Sequence, residues 1–195
     1  MTTAAPIKLL TNEQFLAMAE DGIERMLVDG IVYQLSGEDA EMTKRNPTHS
    51  FVQANVTRIV GVWTQAQLQP RGRVYCGEVG FLLKRNPDTT VGIDVAYVDA
   101  QTAAQTPPDA DVVEAAPVLA VEVLSPSDRQ ERIMMKVRSY LSAGTKLVWV
   151  IEPLFETVSV YRPDAKPTML NSGQELTAEP HLPGFRCKVA EFFGN

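Results

Sequence analysis

The sequence predicts an α/β protein in which helices flank a mixed β-sheet. Two observations carry this prediction: a strand–helix–strand unit spans residues 118–151, and short apolar runs of strand length precede it. A unit of this order forms a crossover between parallel strands, which places its helix on a face of the sheet. The chain has 195 residues, of which 45% are hydrophobic. We therefore expect a single domain over residues 1–195 with its own core.

The N-terminal segment predicts a short helix and a hairpin. Residues 12–20 carry apolar side chains at helical spacing behind a capping residue, either Thr11 or Asn12. Apolar segments on both sides of Asp29-Gly30 predict a hairpin over residues 26–35, because Asp-Gly adopts the positive φ angles of a tight turn.

A long helix and three strands follow in the prediction. The helix covers residues 48–68, where apolar residues recur with a 3.6-residue period and form one buried stripe. The strands cover residues 74–83, 93–98 and 118–124, and the last is apolar almost throughout, which is typical of a strand covered on both faces. The connection over residues 99–117 has the length of a functional or mobile loop.

The C-terminal part predicts a second long helix and two more strands. The helix covers residues 126–143, with Ser125 as its N-cap and Gly144 just after its end. Strands over residues 146–151 and 157–161 follow, and a closing turn with a short helix ends the chain.

Composition limits the class of protein. The net charge is −6, and no Lys or Arg occurs between Asn86 and Asp128, where eight acids lie. This distribution excludes a broad polyanion-binding surface but permits a basic face beside an acidic pocket. Cys76 and Cys187 form no CxxC pair, and only two histidines are present, which weakens a disulfide scaffold or a structural zinc site. Because no transmembrane run or signal peptide is recognisable, we expect a cytoplasmic protein without a membrane partner.

Three acids stand in strand-like segments: Glu78, Asp94 and Glu122. Glu122 interrupts an apolar strand, where an isolated carboxylate costs several kcal/mol unless it is paired, protonated or metal-bound. A structural ion pair for Glu122 and a turn position for Asp94 are the alternatives. Acids on successive strands can converge at one end of a sheet and supply the oxygen ligands that Mg²⁺ prefers. Such a metal lowers the pKa of bound water and stabilises charge on a phosphate.

Three basic residues accompany these acids. Lys136 lies at the margin of the apolar arc of its helix, where it either directs its ammonium group towards the sheet or remains at the surface. Arg132 lies on the same side of this helix and meets either phosphate or water. His49 lies near the buried stripe of the first long helix, as a core or capping histidine or as a site residue.

Together these motifs resemble the Uma-type "putative restriction endonuclease" family of the PD-(D/E)xK nuclease superfamily. The resemblance rests on Asp94 in a strand, the segment Val-Glu-Val-Leu-Ser-Pro-Ser at 121–127, Lys136, the Tyr-Leu-x-Ala-Gly segment at 140–144 and the strand at 147–151. It covers most of the chain, from the Asp-Gly hairpin to the Leu-Pro-Gly-Phe segment near the C-terminus.

The resemblance implies a restriction-endonuclease-like core and a Mg²⁺-dependent endonuclease, with Mn²⁺ as a substitute, that hydrolyses DNA phosphodiester bonds. It implies that Asp94 and Glu122 bind the metal and that Glu78 is an additional strand acid. Lys136, on the helix, replaces the lysine that usually follows the second acid, and its ammonium group assists the attacking water. His49 matches a histidine at the start of the family's first long helix. A homodimer is expected from symmetry statistics and from the family.

The sequence departs from the family pattern at three positions. Ile93 replaces a proline, Leu124 occupies the usual lysine position, and Met26 stands where the hairpin often carries a glutamate. Met26 removes a candidate site acid, so a catalytically inactive binding or protein-interaction module is the second hypothesis. A glycosidase that uses Asp94 and Glu122 is a third, against which the aromatic content of 7% and the nearby lysine argue.

Overall fold

The computed structural model describes residues 8–18, 21, 23, 25–34, 46–126 and 128–194. The α-helices in this part of the chain are α1 (Asn12–Leu16), α2 (Pro47–Ala66), α3 (Ala100–Gln105) and α4 (Gln130–Ala143). The strands are β1 (Arg25–Val28), β2 (Ile31–Gln34), β3 (Arg73–Lys84), β4 (Thr89–Val98), β5 (Leu119–Val123), β6 (Leu147–Glu152), β7 (Thr157–Tyr161), β8 (Thr168–Asn171), β9 (Glu175–Thr177) and β10 (Arg186–Lys188). A 3₁₀ helix, Val189–Phe192, follows β10.

The first eight strands form one mixed sheet, which confirms the predicted fold class. Its order is β2-β1-β4-β5-β6-β7-β8, and β3 also pairs with β4. β5 and β6 are parallel and are connected through α4, as the strand–helix–strand unit predicts. The remaining strand pairs of this sheet are antiparallel. β9 and β10 form a separate two-stranded sheet.

The two long helices cover opposite faces of the sheet. The apolar stripe of α2 packs in one core cluster with Val121 and Val123, whereas Val137 and Tyr140 of α4 pack in another cluster with Ala120. Because successive side chains of a strand point to opposite faces, this division shows that β5 lies between the helices. All five residues of β5 are buried, as its apolar sequence predicts.

Several predicted boundaries differ from the structure. α4 begins at Gln130 rather than at residue 126, and Ser125 is not its N-cap. The Ser125 backbone N–H and hydroxyl instead donate to the Asp128 carboxylate, at 2.7 and 3.1 Å. The charged carboxylate is a strong acceptor, so these bonds form a turn before the helix, and the Ser125 hydroxyl is not used as a cap. Gly144 follows α4 with a φ of +105°, as predicted.

The predicted loop over residues 99–117 contains α3. Asp99 caps this helix by accepting a 2.8 Å hydrogen bond from the Thr102 backbone N–H, so an Asp N-cap was the available signal. β4 begins at Thr89, four residues before the predicted strand, because the threonines and Gly92 at its start carry no apolar pattern. β8, β9 and β10 were not predicted, since they are short and mostly exposed.

The other predicted elements are present. α1 ends at Leu16, and residues 19 and 20 of the predicted helix lie outside the described residues, as does Leu35 of the hairpin. The hairpin pairs Val28 with Ile31 across Asp29-Gly30. Among the helices in the described ranges, none is long and apolar enough to cross a membrane.

Candidate active site

The central sheet opens beside Asp94. β3 pairs with β4 along one edge, so β1 and β5 share the other edge, where β1 pairs at Thr90 and β5 begins to pair at Val95. Asp94 lies between these two pairings. Its carbonyl oxygen accepts a 2.7 Å hydrogen bond from the Gln53 side chain of α2, and its Oδ2 accepts a 2.8 Å bond from the Val123 backbone N–H. Hydrogen bonds that involve side chains thus replace part of the backbone pairing along this edge of β4, and they stabilise the gap between β1 and β5, which we call the opening.

A β-bulge brings Glu78 to the same point. Cys76 pairs with Val95 and Val79 with Ile93, so two residues of β3, Gly77 and Glu78, oppose the single residue Asp94. Gly77 has a φ of +90°, and Glu78 has a φ of +60°, a conformation that costs free energy for a residue with a Cβ. The bulge therefore directs the Glu78 side chain towards the opening at the expense of local strain.

Gly92 leaves the space that the Glu78 carboxylate occupies. A Cβ at position 92 would lie 2.7 Å from Oε2 of Glu78, closer than such atoms approach in proteins. The missing side chain of Gly92 thus permits the carboxylate to lie against β4, two residues from Asp94.

Glu122 is the third acid and is held by α4. Lys136 Nζ donates a 2.6 Å hydrogen bond to Oε2 of Glu122, and the Tyr140 hydroxyl donates to Oε1. Lys136 and Tyr140 are one helical turn apart, so both project from the same side of α4. Glu122 is 3% and Lys136 4% exposed, so this is a buried ion pair.

His49 reaches Asp94 from the other face of the sheet. Its Nε2 lies 3.3 Å from Oδ2 of Asp94, and its side chain is 1% exposed. Asn46 caps α2 by accepting a 2.8 Å bond from the His49 backbone N–H, which sets the position of the histidine in the first turn. Gln53, one turn later, binds the Asp94 carbonyl, so α2 holds this aspartate at two points.

The environment of Asp94 favours its ionised form. Burial raises the pKa of Asp94, but the hydrogen bond from His49, the Lys136 charge and a hydrogen bond from the Glu78 carboxyl lower it to about 2. The Glu78 carboxyl therefore lies within hydrogen-bonding reach of Asp94. Apart from that carboxyl, no described residue donates to the buried Oδ1 of Asp94.

The Glu122 carboxyl is a weaker acid than usual. Burial raises its pKa to about 7, and the Asp94 charge adds to this, although Lys136 and Tyr140 oppose the shift. Burial lowers the pKa of Lys136, but the charges of Glu122, Glu78 and Asp94 outweigh it and raise the pKa above its ordinary value. Lys136 therefore stays charged. When the three acids are ionised, the site carries more negative than positive charge and attracts a cation.

The donor set suits a hard divalent cation. The site offers carboxylate oxygens, among them the buried Oδ1 of Asp94, which no backbone or basic group of the described residues binds. Within the described ranges, no three or more His, Cys, Asp and Glu side chains are arranged to enclose a metal. Mg²⁺ does not require such a cage, because it is commonly held by one or two carboxylates, waters and substrate phosphate. Such an ion could use oxygens of Asp94, together with those of Glu78 or Glu122.

The structure gathers five of the residues singled out from the sequence: Glu78, Asp94, Glu122, Lys136 and His49. Arg132, the sixth, is half-buried and lies one helical turn before Lys136, on the same side of α4. The ion-pair alternative for Glu122 describes its observed contact with Lys136 correctly, whereas Asp94 occupies a strand and not a turn.

The positions that depart from the family pattern are apolar packing sites. Met26 and Ile93 are fully buried, and Leu124 packs at the margin of the same core cluster. At the hairpin, therefore, the apolar Met26 side chain occupies the position where the family pattern often has a glutamate.

Two contacts were missed by the sequence reasoning. In the sequence analysis Tyr140 occurs only as part of the Tyr-Leu-x-Ala-Gly segment, and Gln53 does not occur. Each lies four residues after a predicted site residue, Lys136 and His49, so helical spacing was the available signal. The bulge at Gly77-Glu78 had no comparable signal, since one glycine in a strand is compatible with many structures.

The fold agrees with the comparisons to known proteins. A family model described as "Uma2: Putative restriction endonuclease" matches residues 13–190, so the chain belongs to the Uma2 family, and the resemblance inferred from the motifs is confirmed. A crystal structure of a putative nuclease belonging to DUF820, from Anabaena variabilis, is similar, with a TM-score of 0.78. It shares 18% sequence identity and the match covers 95% of this chain and 98% of that one, which shows a common fold. No curated protein matches the chain.

Proposed function

We propose that this protein is a metal-dependent endonuclease that hydrolyses DNA phosphodiester bonds at the opening beside Asp94. The observation that carries the proposal is the convergence of three strand acids and a buried lysine at one interruption of the sheet. Asp94, Glu122 and Lys136 are buried there, and Glu78 is half-buried in a strained conformation, so the cluster opposes folding and points to function. Membership in a family described as restriction endonucleases supports the same reaction.

In this proposal Asp94 and Glu122, with Glu78 as an additional ligand, hold Mg²⁺ or Mn²⁺. The metal, when bound, supplies an activated water and stabilises negative charge on the phosphate. Asp94 is suited to this role because it stays ionised at neutral pH and because His49 and the Val123 N–H fix its orientation.

Lys136 is proposed to supply positive charge at the site. Its ammonium group, held by Glu122, stays protonated, so it orients the attacking water and stabilises the developing charge rather than removing a proton. Arg132 is placed one turn earlier on the same side of α4, where a guanidinium can contact a flanking phosphate.

The proposal includes a homodimer and a cytoplasmic compartment. Cutting both strands of a duplex requires two sites, which a homodimer supplies. Both cysteines are free, which agrees with a reducing, cytoplasmic compartment.

Calorimetric titration with Mn²⁺ and Mg²⁺, followed by plasmid nicking, tests the proposal on wild type, Asp94→Asn and Asp88→Asn. Asp88 is a second buried carboxylate, outside the opening, and serves as the matched control. We expect wild type and the control to bind metal and nick DNA. Asp94→Asn should bind metal at least about 10-fold more weakly and nick about 100-fold more slowly.

Two outcomes contradict the proposal. If wild type binds neither metal, even with DNA present, the cluster does not have a catalytic role. If Asp94→Asn nicks DNA at the wild-type rate, the activity does not arise at this site.

A second candidate function is a catalytically inactive binding module. Each Glu122 oxygen already accepts a hydrogen bond, and Met26 provides no further acid, which favours this reading. In that case DNA binds without any metal-dependent nicking, so the same experiment separates the two candidates.

A further inference from the structure

Tyr140 occupies an unusual place for a core tyrosine. Its side chain is fully buried among apolar residues of the α4 face of the sheet. Its hydroxyl nevertheless lies at the site, where it donates to Oε1 of Glu122. The single hydroxyl hydrogen serves this carboxylate, and the Gly92 carbonyl oxygen, at 3.3 Å, is the more distant neighbour.

Each oxygen of the Glu122 carboxylate has its own donor, and the two donors differ in flexibility. Lys136 binds Oε2 through a long aliphatic stem with many rotamers, whereas Tyr140 binds Oε1 through a rigid ring that the core encloses. A carboxylate held at one oxygen can rotate about its last bond. Held at both oxygens from the same helix, it keeps one plane and one direction.

The Tyr140 hydroxyl also lies between β4 and β5. On one side it contacts Glu122 of β5, and on the other it approaches Gly92 of β4, the residue against which the Glu78 carboxylate lies. The hydroxyl therefore lies at the place where the relative position of these two acids is set.

A second tyrosine beside α4, the half-buried Tyr161, packs against the same core cluster and has no carboxylate partner among the described hydrogen bonds. The hydroxyl of Tyr161, on β7, contacts only the Met134 sulfur, at 3.7 Å, in the hydrogen bonds of the described residues. Packing of a tyrosine ring against this core cluster therefore does not by itself bring a carboxylate to the hydroxyl, so Tyr161 provides a matched hydroxyl outside the site.

We propose that Tyr140 is a positioning residue whose hydroxyl fixes the Glu122 carboxylate in the orientation that the metal-dependent site uses. This inference rests on the proposed function, and it assigns to a core tyrosine a role that acts through Glu122 and not by contact with the substrate. Outer hydrogen-bond partners of metal-binding groups commonly change metal affinity by about 10- to 100-fold.

The test compares Tyr140→Phe with Tyr161→Phe, since each variant loses one hydroxyl on the same side of the sheet and keeps its ring. Mn²⁺ affinity is measured by calorimetry, and unfolding by denaturant checks the fold of each variant. We expect Tyr140→Phe to bind Mn²⁺ about 10-fold more weakly, and Tyr161→Phe to remain within about 2-fold of wild type. In nicking assays kcat should fall for Tyr140→Phe, while KM for DNA stays close to the wild-type value.

A double-mutant cycle shows whether Tyr140 acts through Glu122. In a Glu122→Gln background the further change Tyr140→Phe should weaken Mn²⁺ binding by less than about 2-fold, because the carboxylate it positions is gone. A full 10-fold loss in that background overturns the inference, since Tyr140 would then act independently of Glu122.

Failure of the inference is distinct from failure of the proposed function. If wild type binds Mn²⁺ and Tyr140→Phe binds it equally well, Tyr140 has only a packing role, although the metal site remains. If wild type does not bind Mn²⁺, both proposals fail. Should Tyr140→Phe unfold, Glu122→Asp provides the second variant, because it withdraws the carboxylate from an intact Tyr140. Wild-type Mn²⁺ affinity in Glu122→Asp likewise overturns the inference.

Discussion

Two buried aspartates lie close together along the chain but have very different partners. Asp88 immediately precedes β4, and Asp94 lies within it. Oδ2 of Asp88 accepts from the Asn12 backbone N–H at 2.8 Å and from Arg85 at 3.4 Å, and Oδ1 accepts from the Asn86 N–H at 3.2 Å. Asp94 receives its hydrogen bonds from described donors at Oδ2, and other carboxyls surround it.

The polar groups around Asp88 satisfy one another's hydrogen bonds. We call Asn12, Asp88, Thr89 and Thr90 the Asp88 cluster; the Thr90 hydroxyl donates to Oδ1 of Asn12 at 2.7 Å, and Thr89 accepts from the Asp29 N–H at 3.0 Å. These bonds attach the N-terminal segment and the first hairpin to β4. Since every carboxylate oxygen has a neutral or cationic donor, this cluster contributes stability and offers no place to a ligand.

Asp88 has the partners of a structural carboxylate, whereas Asp94 has those of the proposed active site. Both side chains are buried, so burial alone does not separate them. Their partners differ: around Asp88 each carboxylate oxygen has a donor, whereas at the opening acidic groups lie together beside a strained bulge, and no backbone or basic group of the described residues binds Oδ1 of Asp94. We therefore expect changes in the Asp88 cluster to alter stability and changes at the opening to alter activity.

The largest effect on stability is expected from Asp88→Ala. The change leaves the buried Asn12 N–H and the partly buried Asn86 N–H without their acceptor and removes the partner of Arg85, which should lower the free energy of unfolding by about 3 kcal/mol. Urea unfolding followed by circular dichroism measures this loss. Mn²⁺ affinity of the folded fraction should equal that of wild type, and a loss of affinity comparable to that in Asp94→Asn would abolish the distinction between the clusters.

A pH-dependent effect of about 2 kcal/mol is expected from Glu122. Because its pKa is raised from 4.5 to about 7 on folding, the folded state binds more protons than the unfolded state between these values. Stability from this group is therefore complete below about pH 4.5 and falls as the pH rises through 7. Wild type should lose about 2 kcal/mol relative to Glu122→Gln between pH 5 and pH 8, measured by urea unfolding without metal. Parallel curves for the two proteins would show that Glu122 is not a perturbed group.

The smallest effect, about 1 kcal/mol, is expected from Thr90→Val. This change keeps the shape of the side chain but removes the donor to Oδ1 of Asn12. Thr64→Val is the matched control, because the buried hydroxyl of Thr64 donates only to the Val60 carbonyl within α2. Thermal unfolding should separate the two variants, with Thr90→Val the less stable. Equal melting temperatures would mean that the cross-chain bond adds nothing beyond a local one.

Much of the fold was predictable because it depends on patterns along the chain. The apolar stripe of α2, the Asp-Gly turn and the continuous apolar run of β5 each express local geometry or burial on both faces, and all three are confirmed. The errors fall where local signals are weak, at the start of α4, in α3 and in the short strands near the C-terminus.

The amino-acid sequence by itself determined which residue types reach the opening: acids in three strand segments, a lysine on the crossover helix and a histidine at the start of the first long helix. Their spacing follows from the two-residue period of strands and the 3.6-residue period of helices. Only the tertiary structure decided their partners. The two donors to Glu122 are 14 and 18 residues away from it in the chain. The bulge opposite Asp94 and the space beside Gly92 depend on the pairing of β3 with β4. No periodicity along one segment encodes such contacts, because they depend on how the strands and helices pack against one another.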